Sequence, residues 1–187
     1  MDNQPLLTVL PSLESLKEYT NRHVLERYKK DHPNNKMSAE QAFDEIKKYF
    51  WLGQKHRIDR ENSPDNEALK FECSVHFEMK EIDDMWHTFI LFTVDYMRFC
   101  DEYFGEFIHH LPNTDDEEQL DDAAFAEDLT KYLSYIYDEL GEETVRTWFA
   151  PLLAGQEQDD SQQATQHNHN HNHNHNHNHE HEVHAAI

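Results

Sequence analysis

Apolar residues recur every three to four positions over most of the chain, and each run is punctuated by Ser, Pro, Asn or Gly. That spacing lines up apolar side chains on one face of an α-helix. A first helix is expected from its N-cap Ser12, with Leu13, Leu16, Tyr19, His23, Leu25 and Tyr28 as a rough stripe. It should end in Asp31-His32-Pro33-Asn34-Asn35. Ser38 and Gln41 form a capping box for a second helix, which buries Ala42, Phe43, Ile46, Tyr49, Phe50 and Trp51 and which Gly53 should stop. Arg57 to Asn66 reads as a polar loop. Leu69, Phe71, Cys73, Val75 and Phe77 then alternate with polar residues. Period two predicts an extended segment with His76 on its exposed side, and no strand partner is evident.

Met79 to Phe92 and Val94 to Phe104 read as two more helices, either broken at Thr93 or continuous, and Gly105 ends the block. A fifth helix spans Leu120 to Leu140, with Phe125, Leu129, Tyr132, Leu133 and Ile136 on its core face. Gly141 separates it from a sixth, Glu142 to Leu153, which carries Val145, Trp148 and Phe149. The expected fold is mainly α: a compact bundle of about five to six helices with one short extended segment. From Gln156 the composition turns polar and repetitive. The expected organisation is an acidic helical domain over 1–155 and a disordered His/Asn-rich tail over 156–187.

Charge narrows the function classes. The net charge is −22, and all 16 Lys and Arg lie at or before Arg146, so the body to Gly155 still carries −17. Such a surface repels phosphate backbones and anionic headgroups, which argues against nucleic-acid and membrane partners. No segment approaches the roughly 20 apolar residues that span a bilayer. The start, Met-Asp-Asn-Gln-Pro-Leu-Leu, lacks the basic region of a secretory signal. Cys73 and Cys100 have no CxxC spacing and read as reduced thiols, so a cytoplasmic location is expected. No glycine-rich phosphate loop, serine elbow or HExxH motif occurs, so no nucleotide cofactor is expected. Asp115 to Glu118 lacks the spacing and Gly of a calcium loop.

Two regions carry candidate chemistry. On a helix, Asp83 and His87 stand at i and i+4 and share a face. A carboxylate beside an imidazole can orient the ring, or both can coordinate one metal. His110 can join them if the chain reverses between Thr93 and Leu111, and Cys100 is a fourth candidate ligand. The competing reading makes this block core packing, with hydrogen-bonded imidazoles and an inert thiol.

The block also carries a resemblance. Asp83, Trp86, His87, Ile90, Leu91, Thr93, Tyr96, Phe99, Cys100, Gly105, His110 and Pro112 follow the spacing Asp-x-x-Trp-His, Ile-Leu-x-Thr-x-x-Tyr-x-x-Phe-Cys, Gly, His-x-Pro. In this it resembles the glycine-rich-domain-containing-protein-like family. The Pro-Ser pair often found before the Asp is replaced by Met79-Lys80-Glu81, and nothing glycine-rich is present. The resemblance implies a small helical domain and no particular reaction.

The second region is the tail. His167, His169, His171, His173, His175, His177, His179, His181 and His184 make nine of the 16 histidines, most of them alternating with Asn. Alternation lets a chain wrap two or more imidazoles around nickel, zinc, copper or cobalt. The same repeat arises by slippage in a short DNA repeat, or resembles an affinity tag, although the continuation His179-Glu-His-Glu-Val-His-Ala-Ala-Ile is unlike a simple tag. The expected function is a non-enzymatic, metal-binding accessory protein, with metal ions and a protein as its partners. The alternatives are a helical enzyme or ligand-binding domain with its site at Asp83, His87 and His110, or an interaction domain with the tail incidental.

Overall fold

The computed structural model describes residues 10–111, 121–150 and 152, together with the backbone of 183–186. Seven helices occur among them: α1 (Leu13–Glu18), α2 (Arg22–Asp31), α3 (Ala39–Asn62), α4 (Lys80–Ile90), α5 (Thr93–Phe104), α6 (Asp122–Leu140) and α7 (Glu142–Trp148). The mainly α reading holds.

The expected first helix is two. Ser12 caps α1 as its sequence position suggests, Oγ accepting from Ser15 N at 3.1 Å. The chain then leaves helical geometry at Tyr19, and Asn21 starts α2 by accepting from His23 N and Val24 N at 3.1 and 3.2 Å. Lys47 fills the gap. It is 2% exposed and donates to the Lys17 and Tyr19 carbonyls, groups that the end of α1 leaves without helical partners.

Gly53 does not stop α3. It is buried within a helix that runs on to Asn62 through most of the stretch expected as loop. An interior Gly costs about 1 kcal/mol relative to Ala. Here that cost is outweighed by good helix formers and the i,i+4 pairs Lys55–Asp59 and Arg57–Glu61.

The long α3 is the centre of the packing. Trp86 of α4 lies edge-on to Phe50 at 5.1 Å and 5.6 Å from Tyr49. Trp148 of α7 donates to Glu45 Oε2 at 2.8 Å, and Tyr135 of α6 donates to Asp59 Oδ2 at 2.7 Å. Buried Trp and Tyr residues need partners for their polar tips, and these two fasten the C-terminal helices to α3.

The alternating segment becomes a strand only over Ser74–His76 (β1). It pairs antiparallel with Val183–Ala186 (β2), a partner with no alternating pattern of its own to betray it. Covered on both faces, β1 departs from the alternation. Ser74 and His76 are buried, while Phe77 is 58% exposed. His76, expected to face solvent, stacks instead on Tyr132 at 5.4 Å.

Candidate metal centre

Asp83 sits in the first turn of α4 and His87 one turn later, so helical geometry alone brings them together. His110 arrives by a reversal. Gly105 ends α5 in the left-handed region at φ 70°, a conformation that Gly adopts without a Cβ penalty. The chain then folds back along α5. Tyr96 holds it there: its hydroxyl donates to Ile108 O at 2.6 Å and accepts from Trp86 Nε1 at 3.0 Å. Phe107 packs edge-on to the Tyr96 ring at 5.2 Å. Two residues past Ile108, His110 lies against Trp86, with ring centroids 4.2 Å apart.

The three side chains converge on the Asp83 carboxylate. Oδ1 lies 3.0 Å from His110 Nε2, and Oδ2 lies 3.3 Å from His87 Nδ1. His87 Nδ1 also lies 2.9 Å from the Asp83 carbonyl. Among the described residues, Asp83, His87 and His110 bring one ligand atom each to within 4.8 Å of one another. The site is graded in exposure. The Asp83 and His110 side chains are 12% and 9% exposed, whereas that of His87 is 61% exposed.

Burial alone would raise the pKa of the Asp83 carboxyl. The hydrogen bonds from His110 and His87 outweigh it and hold the group well below the usual carboxylate range. The Asp83 carboxylate in turn raises the pKa of His87 above the ordinary imidazole value, against the opposing effect of burial. The result is a carboxylate ionised at neutral pH between two imidazoles.

Two other potential ligands in this region, Asp84 and Cys100, lie outside the triad. Asp84 turns away to accept from Lys80 Nζ at 2.7 Å and from Asn35 Nδ2 at 3.0 Å. Cys100 is fully buried and outside the triad; burial raises its pKa, despite hydrogen bonding to Ile108 and Tyr96. A protonated buried thiol is a poor ligand and nucleophile. The tail histidines lie outside the described residues, apart from the backbone of His184 in β2. Trp86 and Tyr96 stand in the sequence motif, but their role as supports of His110 is not legible in it. The available signal was that buried Trp and Tyr tips must bond to something.

No curated protein and no solved structure matches the chain. No described helix is long and apolar enough to cross a membrane. The UCP032817-like family model matches residues 13–128, which covers α1 to α5, the reversal and the first turns of α6. This corrects the resemblance drawn from the Trp-His motif, since the match is not to a glycine-rich-domain-containing family. The motif residues Trp86, Tyr96, Gly105 and His110 pack the reversed chain on the α4–α5 pair. The chain belongs to the UCP032817-like family, which is uncharacterised.

Proposed function

We propose that the helical domain binds one divalent transition metal through Asp83, His87 and His110, and that the protein handles metal without catalysing a reaction. The observation that carries this reading is the convergence of two imidazoles and one ionised carboxylate from two chain segments. Zinc, cobalt, nickel and copper accept that donor set. A tetrahedral ion with bonds of about 2.1 Å separates its ligands by about 3.4 Å, and the three ligand atoms here lie within 4.8 Å of one another. His87, the exposed member, has the freedom to close the remaining gap. Trp86 and Tyr96 would hold His110 in place.

The tail adds a second, multi-site chelator. Its nine imidazoles bind weakly and exchange quickly, as suits collection or buffering. An open fourth position beside exposed His87 favours one other reading, a ligand-binding or hydrolytic site with a metal-bound water.

Equilibrium dialysis separates the contributions. A full-length variant with the nine tail histidines changed to Asn should retain one equivalent of zinc or cobalt, and His87→Ala in that background should release it. Absence of metal from the tail variant would leave the triad a hydrogen-bonded packing device. Turnover of a substrate dependent on the retained metal would favour the second reading.

A further inference from the structure

We propose that a cleft at the C-terminal end of α3 binds a small molecule carrying an oxyanion group, phosphate or carboxylate. The cleft lies between the last turns of α3 and residues 63–70 and encloses about 420 Å³. That is within the size range of small-molecule sites. None of the three metal-site residues lines it.

Its charge runs against that of the molecule. In a chain of net −22, the lining holds Arg57, Arg60 and Lys70 against one carboxylate, Glu61. Among the lining side chains positive charge is in excess, which favours ligands of the opposite sign. Arg57 is fixed in place, donating to Gln54 Oε1 at 3.2 and 2.7 Å and also to Glu106. Glu61 lies 3.4 Å from Arg57 Nη1, and Lys70 lies 2.6 Å from Glu67. Arg60 has no ion pair among the described residues, which leaves a guanidinium fork at the cleft for an oxyanion. Neutral donors stand beside it. Asn66 Oδ1 is taken by Ala68 N, so Asn66 Nδ2 and the Ser63 hydroxyl are available. One wall is rigid, because His56 stacks on Phe71 at 4.0 Å with Nε2 held 3.0 Å from Leu69 O.

A second observation concerns Gly53. It occupies a buried position inside α3 without positive φ, so neither a turn nor a helix end requires it. It lines this cleft.

The test is a titration of the full chain, with chelator present, by inorganic phosphate and separately by succinate, followed through backbone amide resonances. At least one anion should give saturating shifts at Gly53, Ser63 and Asn66. Arg60→Ala, at an exposed position, should weaken that affinity about tenfold, Arg60→Lys should restore much of it, and His87→Ala should leave it unchanged. Phosphate alone, or succinate alone, identifies the group recognised. Failure of both anions to saturate, shifts confined to other regions, or indifference to Arg60→Ala would overturn the proposal.

Discussion

Asp83 directs each carboxylate oxygen to a different imidazole, and this arrangement sets how the metal-free domain should respond to pH. The carboxyl is held below its unfolded value of about 3.9, so its contribution is present above that pH and is lost as pH falls. His87 is raised above its unfolded value of about 6.5, so its contribution is complete below that pH and is lost as pH rises through the folded value. Asp83→Asn removes both effects. With chelator present, thermal melts should show the gap between wild type and Asp83→Asn widest between about pH 4 and 6.5, and narrowing on either side. The buried His110 contact sets the scale at about 1.5–3 kcal/mol, the usual range for a hydrogen bond to a charged group. A gap independent of pH would mean that Asp83 acts through shape alone.

The elements show where sequence reading succeeds and where it stops. Local signals were legible: the Ser12 and Ser38 caps, the Gly105 and Gly141 ends, and the Asp83–His87 face. Each depends on residues within one turn of one another. What failed depended on tertiary partners. Asn21 divides the first helix while its Nδ2 donates to Asp95 Oδ2 of α5 at 2.9 Å, 74 positions away. His76 is buried because Tyr132 of α6 and Phe149 after α7 pack against its ring. Gly53 is the exception: its ordinary signal of a helix end was overridden locally, by good helix formers and i,i+4 pairs beyond it. The approach of His110 was a condition the sequence could state and not resolve, because it depends on Tyr96 reaching Ile108 O. Tyr96→Phe should therefore destabilise the domain by about 1–3 kcal/mol in denaturant titrations, by orphaning the Ile108 carbonyl and the Trp86 N–H. It should also weaken zinc affinity about 10- to 100-fold, as loss of an outer support does. Destabilisation with unchanged zinc affinity would separate the reversal from the site.

At the scale of the whole molecule, a chain of net −22 folds against its own repulsion. Raising NaCl from about 0.02 to 0.3 M shortens the Debye length to well under 10 Å. The melting temperature should rise with it; a fall would show that ion pairs such as Lys29–Glu40 outweigh the net charge. The same acidity draws cations toward the surface, and the proposed metal site and tail would exploit it at different affinities. The central claim is that the domain itself supplies two imidazoles and one carboxylate to a metal. X-ray absorption at the zinc edge tests it most directly, on full-length protein whose nine tail histidines are Asn, loaded with one equivalent. The account predicts a first shell of two imidazole nitrogens and carboxylate oxygen at about 2.0–2.2 Å, with no sulfur. A sulfur ligand at about 2.3 Å, or a shell of water oxygens without imidazole, would contradict it.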